Sequence, residues 1–232
     1  MGFMCGRYTQ FRDLDDVVQL WDIDQVIADL LDPSWNVAPT QPVYVAVDRV
    51  LDGARSRELH TARWGLVPSW AKDVSIGARM INARSETITA KPVFRSAAAK
   101  RRAVLPADGY YEWTPQKGGS KRANYLHDPE DQILGFAGLY EWWRPKGSDE
   151  PWLLSTTIIT RPATDELGHV HDRCPVIVPV GMLDDWLAPA LTDPADVDAL
   201  LAIIPEPHLA VRPVGPAVGN VRSNSASLIE PA

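Results

Sequence analysis

Cysteine is scarce in this chain, with two residues, Cys5 and Cys174, among 232. We therefore expect neither a disulfide framework nor a zinc site built from cysteines, and a reducing compartment fits. No apolar run is long enough for a membrane-spanning helix. Residues 1–9 lack the basic and apolar regions of a secretory signal peptide. These absences exclude disulfide-rich secreted proteins and membrane proteins, and they predict a cytoplasmic location.

Internal repeats, low-complexity segments and linkers are also missing, and the 20 prolines are spread along the chain. The hydrophobic content of 45% is ordinary for a globular protein and sufficient for one sizeable core. We therefore predict a single domain over residues 1–232, and a monomer, since no coiled-coil pattern is present.

Hydrophobic spacing predicts an amphipathic helix at residues 13–21. A second helix begins with Asp193 as N-cap and Pro194 at the first helical position, and residues 94–102 are predicted to form a short helix. β-branched or apolar runs predict strands at residues 43–47, 103–105, 133–142, 152–160 and 176–178. Strands dominate the middle of the chain. The predicted class is α+β, with a curved, barrel-like, mainly antiparallel or mixed β core and peripheral helices.

The net charge of −7 argues against nucleic acid as a partner, but the charge is unevenly distributed. The segment 79–102 contains one acid, Glu86, and these cations: Arg79, Arg84, Lys91, Arg95, Lys100, Arg101 and Arg102. A local cationic patch can bind phosphates, because a strand feels mainly the charges within a Debye length. The alternative is a solvated helix face, which charge alone slightly favours. For Arg101 and Arg102 in particular we expect solvated side chains.

Several segments place polar residues in apolar or aromatic surroundings, at residues 5–8, 35–39, 81–86, 109–113 and 171–175. In this order, and together with residues 64–70, they resemble the SRAP family, the SOS response-associated peptidases that crosslink to abasic sites. The resemblance runs from Cys5 to about Pro179. It implies a mixed fold with a barrel-like core and a cleft for single-stranded DNA that contains abasic sites. Such a protein would associate with the nucleoid when DNA is damaged.

The resemblance also implies individual residues. The catalytic cysteine of the family follows the initiator Met and matches Cys5, and the other active-site residues match Asn82, Glu112 and His171. The DNA-binding positions implied are Arg7, Trp70, Arg79, Arg84 and Arg173. Nine tryptophans are a high count, and exposed indoles can stack on unpaired bases, so Trp64 and Trp113 join Trp70 as candidates. No cofactor is implied, and no histidine shows metal-ligand spacing, so we expect no metal.

The chemistry of these residue types is consistent with that implication. An N-terminal α-amine has a pKa of about 7.7–8 and can attack the aldehyde of an opened abasic site to give a Schiff base. The thiol of the same residue can then close a five-membered thiazolidine ring, because the second step is intramolecular. Glu112, between two aromatic residues, can shuttle protons. His171 can help to open the sugar ring, and Asn82 can orient the N-terminus.

Each residue also has a structural alternative. Cys5 can be a buried structural thiol, Glu112 can pair with an arginine, and His171 can be a core histidine. Asn82, Ser85 and Glu86 can cap a turn, and for Ser85 and Glu86 we favour that role. Two other functions stay open: a cysteine peptidase or amidase that uses Cys5 and His171 in trans, and a non-catalytic module that binds single strands.

The sequence departs from the family pattern twice. First, residues 1–4 precede Cys5. While they are attached, the backbone nitrogen of Cys5 is an amide, which cannot form a Schiff base. Either translation starts at Met4, followed by Met removal, or the Cys5 thiol cleaves the chain after Met4. Residues 1–4 are thus a removed leader or a mis-assigned start. Second, Cys174 occupies a position that is usually Met, which we expect to be a tolerated change in a core.

Overall fold

The structure is a computed structural model that describes residues 6–164 and 170–232. The strands are β1 Tyr8–Gln10, β2 Gln25–Val26, β3 Ser34–Val37, β4 Pro42–Leu51, β5 Ala54–Trp64, β6 Asn82–Arg84, β7 Arg102–Ala107, β8 Gly109–Pro115, β9 Lys121–His127, β10 Leu134–Trp143, β11 Leu153–Pro162, β12 Arg173–Pro175 and β13 Ala210–Val214. The α-helices are α1 Leu14–Leu20, α2 Arg95–Lys100, α3 Leu183–Leu187 and α4 Pro194–Ile203. None of the described helices is long and apolar enough to cross a membrane.

The larger sheet follows the order β12-β11-β10-β7-β4-β5-β2 and curves back on itself, because β11 also pairs with β5. The antiparallel pairs β4–β5 and β10–β11 are long, whereas the two junctions that close the ring are short. β4 meets β7 at Ala46↔Val104, and β11 meets β5 in parallel at Ser155↔Arg63 and Thr156↔Trp64. The result is a curved ring of strands with the α+β class that the sequence predicts.

The smaller sheet has the order β13-β9-β8-β1-β3 and packs against the ring. Aromatic rings fill the space between the two sheets. Tyr8 of β1 meets Trp64 edge-on at 5.2 Å and Phe136 at 5.8 Å, and Tyr110 of β8 meets Phe136 at 5.9 Å between ring centroids. This aromatic core fixes the start of β1, and therefore the chain just after Cys5, against β8 and the ring.

Most of the predicted elements are confirmed. α1 and α2 lie inside the predicted helices, and α4 begins as expected, because the Asp193 side chain accepts a hydrogen bond from the Ala195 amide at 2.8 Å. The strand predicted at residues 176–178 is present only as an isolated bridge between Ile177 and Phe136. β12 lies three residues earlier and carries no β-branched residue, so its pairing with β11 rather than its propensity determines the strand.

Candidate functional site

β1 pairs with the first residues of β8. Tyr8 pairs with Tyr110, and the Tyr111 amide donates to the Arg7 carbonyl at 3.0 Å. Gly6 precedes Arg7 on one strand and Glu112 follows Tyr111 on the other. Because the strands are antiparallel, both residues lie at the same end of this pairing. Glu112 is 3% exposed, so the predicted general acid is a buried carboxyl on the strand that pairs with the N-terminal segment. Cys5 lies outside the described residues and is covalently joined to Gly6.

A cavity of about 290 Å³ opens at Gly6. Its lining comes from segments far apart in sequence: Gly6, Arg7, Pro39, Ala78, Ile81 and Trp113. Four of the five segments singled out in the sequence therefore meet at this cavity. Asn82 directly follows Ile81, and Glu112 directly precedes Trp113. The volume is near the lower end of the range for small-molecule sites, about 300 Å³.

His171 is not among the residues that line the cavity. Its neighbour Val170 belongs to the same buried cluster as Tyr8, Ile81 and Tyr110. The His171 ring is half-buried, and its Nδ1 lies 2.7 Å from an Asp172 carboxylate oxygen and 3.1 Å from the Arg173 amide nitrogen. In the first contact Nδ1 donates to the carboxylate and must carry a hydrogen. In the second Nδ1 accepts from the Arg173 amide and must carry none.

Arg7 connects the cavity to the C-terminal part of the chain. Its Nη1 donates to the Asn36 side-chain oxygen at 3.1 Å and to the Val218 carbonyl at 2.8 Å. Burial lowers the pKa of Arg7. The side-chain amide of Asn36 donates in turn, through its Nδ2, to the carbonyls of Val218, Asn220 and Ser223. The segment 218–223 therefore braces Arg7, a role that sequence analysis missed although it singled out Asn36.

The three candidate tryptophans have different environments. Trp70 is 62% exposed, and Trp113 is partly exposed at the cavity. The expectation for Trp64 is wrong, because its indole is fully buried and donates to the Ile81 carbonyl at 2.9 Å. Trp64 is thus a core residue that supports the strand next to Asn82 and cannot stack on a base.

Two glycines hold the loop after Trp64 against the 3₁₀ turn Val74–Arg79. Gly65 has a φ of +126°, and a Cβ there would lie 2.5 Å from the Gly77 carbonyl oxygen. A Cβ on Gly77 would lie 2.5 Å from the Gly65 carbonyl oxygen. The backbones touch directly, so neither position accepts a side chain. This contact places Ala78, the residue after Gly77, at the edge of the cavity.

The predicted DNA-binding arginines fall into two groups. Arg79 and Arg84 are exposed, and no described residue forms a hydrogen bond or an ion pair with their side chains. Arg173 is 8% exposed, and it forms two hydrogen bonds with the Glu86 carboxylate, at 2.6 and 2.8 Å. The same guanidinium also contacts Thr160. A DNA contact by Arg173 would have to compete with these partners.

Glu86 and Arg102 correct two expectations about the basic segment. The hydrogen bonds from Arg173 lower the pKa of Glu86 to about 2, so its carboxylate is a partner of Arg173 as well as a turn residue. Arg102 is 4% exposed and hydrogen-bonds to backbone carbonyls. The expectation of a solvated Arg102 is wrong, and half-buried Arg101 pairs with Glu141 at 2.8 Å.

Cys174 is buried in the aromatic core at 1% exposure, as expected of a core substitution. Burial raises the pKa of its thiol to about 11. This cysteine is therefore a neutral apolar side chain at physiological pH. In the described ranges, no group of three or more histidine, cysteine, aspartate or glutamate residues could hold a metal ion.

Comparisons with a family model and with known relatives agree with each other. The family described as SOS response associated peptidase (SRAP) matches residues 4–221. The abasic site processing protein YoqW of Bacillus subtilis is 38% identical, over 98% of this chain and 99% of its own. The abasic site processing protein HMCES of Gallus gallus is 31% identical, over 86% of this chain and 66% of its own.

Solved structures are similar over nearly the whole chain. An X-ray structure of a protein from Bacteroides thetaiotaomicron has a TM-score of 0.80 at 23% identity, over 98% of this chain and all of the other. A protein from Bordetella bronchiseptica has a TM-score of 0.73 at 26% identity, over 91% of this chain and all of the other. The Bacteroides structure supports the fold alone.

Proposed function

The chain belongs to the SOS response associated peptidase family, and from that premise we propose that it processes abasic sites in DNA through a covalent bond to Cys5. The observation that carries this proposal is the meeting of four separate segments at the cavity beside Gly6. These segments bring the neighbours of Asn82 and Glu112 next to the N-terminal strand. A cavity in that position can hold one opened sugar at the N-terminal residue.

The bond-forming steps need only Cys5 and the abasic aldehyde. The neutral α-amine of Cys5 attacks the aldehyde carbon C1′, and the carbinolamine loses one water to give an imine. The Cys5 sulfur then adds to the imine carbon, and its proton moves to the nitrogen, which closes a thiazolidine. One water leaves in total, and no oxidant or reductant is required.

The surrounding residues have proton-transfer and orienting roles in this proposal. Glu112 protonates the departing hydroxyl of the carbinolamine and accepts a proton from the amine, since it is the buried carboxyl beside the N-terminal strand. His171 assists opening of the sugar ring, because an imidazole can give or take a proton near neutral pH. Asn82 orients the amine by hydrogen bonding. The Nη2 of Arg7 is available for a phosphate, because Asn36 and Val218, its hydrogen-bond partners among the described residues, both accept from Nη1.

The DNA in this proposal is single-stranded. Trp70 and Trp113 offer indole faces to unpaired bases, and Arg79 and Arg84 offer cations to the backbone. The protein works in the DNA damage response, in the cytoplasm and on the nucleoid. Base stacking and backbone charge together make such binding tolerant of sequence.

Crosslinking requires that Cys5 be N-terminal, because an amide nitrogen cannot form an imine. One route is translation from Met4 followed by removal of Met4. The other is self-cleavage, in which the Cys5 thiol attacks the Met4 carbonyl and the acyl group moves from nitrogen to sulfur. Glu112 or His171 donates the proton to the departing amine. Water then hydrolyses the thioester, releases residues 1–4 and restores the thiol.

The test combines intact mass with a crosslinking assay. Protein whose mass shows an N-terminal Cys5 is incubated with single-stranded abasic DNA, and we expect a denaturant-stable adduct with the summed mass less one water. Cys5→Ser should lose the stable adduct. Cys174→Ser is the matched control and should keep it, because the Cys174 thiol is buried and neutral.

Two outcomes would overturn the proposal. One is the absence of any adduct from protein with a verified N-terminal Cys5. The other is an adduct that survives in Cys5→Ser and disappears in Cys174→Ser. Turnover of unrelated peptides without any DNA adduct would instead support the peptidase alternative with Cys5 and His171. Comparison of Glu112→Gln with wild type, both carrying residues 1–4, distinguishes self-cleavage from an internal start.

A further inference from the structure

Two more cavities continue the candidate site along the surface. A cavity of about 540 Å³ shares Ala78 with the cavity beside Gly6 and is also lined by Trp70, Lys72 and Arg79. A third cavity of about 650 Å³ shares Trp70 and Lys72 with the second and ends at Trp152. Neighbouring cavities share lining residues and therefore lie side by side on the surface, and we call the second and third cavities together the distal groove.

The far end of the distal groove has an exposed aromatic platform. Trp152, just before β11, is 55% exposed. The guanidinium of Arg144 lies over its indole, 4.6 Å from the ring centroid. A tryptophan this exposed gains little from packing in the protein, whereas Arg144 holds it in one orientation. Trp70 and Trp152 thus line the same cavity as two exposed indoles.

Positive charge dominates the same groove although the whole chain is acidic. Its lining includes Lys72, Arg79, Arg144 and Lys146 against one acid, Asp73. In the described part of the chain, none of these four cations forms an ion pair. Asp73 accepts a hydrogen bond from the Ser75 amide at 2.7 Å, so its carboxylate caps a turn. A polyanion with flat unpaired bases fits these features.

We propose that Trp152, Arg144 and Lys146 form a second contact for single-stranded DNA, continuous with the abasic-site cavity; this inference rests on the proposed function. One strand would run from the cavity past Trp70 to Trp152. The bases would stack on the two indoles, and the phosphates would face the cations. A duplex hides its base faces and cannot use two exposed indoles in this way.

The test uses strands of different length that carry a stable abasic analogue without an aldehyde. A short strand of roughly 5 nucleotides is compared with strands of roughly 15 nucleotides extended on the 5′ or the 3′ side, lengths that bracket common single-strand site sizes. We expect Trp152→Ala to weaken binding of one extended strand by roughly tenfold and to leave the short strand unchanged. Trp152→Tyr should recover part of the loss.

Salt dependence separates the cation from the indole. For the same extended strand, Arg144→Ala should lower the slope of log affinity against log salt by about 0.7, the value for one phosphate contact on a single strand. Trp152→Ala should leave that slope unchanged. The matched controls Lys100→Ala and Ile203→Ala remove an exposed cation and an exposed apolar side chain outside the groove, and they should change neither quantity.

Equal losses for short and extended strands, or no loss for either extension, would overturn the second contact. A loss seen only when the extension is a duplex would also overturn it. Crosslinking of a short reactive abasic strand is measured in parallel on the same variants. Wild type that fails to crosslink that strand contradicts the proposed function, whereas normal crosslinking with unchanged length dependence contradicts only the distal contact.

Discussion

The two ends of the basic segment 79–102 have opposite environments. Arg79 and Arg84 are exposed and have no ion-pair partner among the described residues, whereas Arg101 and Arg102 are bound by other parts of the protein. Cations are denser at the second end, where Lys100, Arg101 and Arg102 are consecutive, and yet the two arginines there are bound within the protein. The difference shows that the fold, and not the density of cations along the sequence, decides whether an arginine is exposed or is bound by carbonyls and carboxylates of the protein.

Arg102 binds the ends of two helices. Its Nε and Nη2 donate to the carbonyls of Trp186 and Ala188 at the end of α3, at 2.7 and 2.6 Å. Its Nη1 donates to the Ala98 carbonyl in α2 at 2.7 Å. Burial lowers the pKa of Arg102 to about 10. The side chain therefore satisfies carbonyls that a helix end leaves without partners.

We expect the largest loss of stability from Arg102→Met. The substitution keeps an apolar stem but leaves buried carbonyls without donors, each costing about 1–3 kcal/mol, so the total loss should be about 3 kcal/mol or more. Denaturant unfolding followed by circular dichroism measures it. Arg95 in the same segment is exposed and provides the control, so Arg95→Met should change the free energy of unfolding by less than about 0.5 kcal/mol. Equal effects for the two variants would contradict the comparison.

Glu86→Gln should lower the free energy of unfolding by less than Arg102→Met does. It removes the carboxylate from nearly buried Arg173, a change that costs about 3–5 kcal/mol for a fully buried pair. The Glu86 side chain is 44% exposed, so solvent screening reduces the expected loss to about 1–2 kcal/mol. Chemical denaturation at neutral pH gives the value. Lys91→Ala, at an exposed position of the same segment, serves as control. A loss that matches the control would show that the pair contributes nothing.

The same pair predicts a smaller effect of pH. The folded-state pKa of Glu86, about 2, lies below its ordinary value of 4.5. Its carboxylate therefore stabilises the fold fully above the ordinary pKa, and this contribution disappears as pH falls toward the folded pKa. Between about pH 5 and pH 2 wild type should lose more stability than Glu86→Gln, as unfolding curves at several pH values can show. Parallel pH profiles would contradict the assignment.

Much of this fold can be predicted from the sequence, but few of the pairs that its buried polar side chains form can be. The helix start at Asp193 and the strands rich in β-branched residues follow from local rules. β5 was missed, because its alternating charged residues do not resemble a buried strand. Arg57 and Glu58 are nevertheless buried there, since Asp48 pairs with Arg57 at 2.8 Å and His60 contacts Glu58 at 2.7 Å. Asp48 lies on the neighbouring strand β4 and His60 lies two residues further along β5 itself, and strand propensity carries no information about either pairing.

The same limit applies to the site. Motif order was sufficient to single out the segments that meet at the Gly6 cavity. It could not separate Trp64, which is buried, from Trp70, which is exposed. It also could not show that the carbonyls of residues 218–223 hold Asn36 and, through it, Arg7. Burial and long-range hydrogen bonds require the folded chain, so individual roles within a correctly identified motif need the structure.

The smallest effect on stability should come from the exposed end of the segment. Arg79→Ala and Arg84→Ala remove cations that no described residue binds, so each should change the free energy of unfolding by less than about 0.5 kcal/mol. Under the proposed function, each should also lower the salt-dependence slope for single-stranded DNA by about 0.7. Titrations at several salt concentrations measure this. Lys100→Ala, at the other end of the segment and outside the groove, should leave the slope unchanged. Because stability and salt slope then vary independently, a variant that changes both would show that the two ends differ less than their environments indicate.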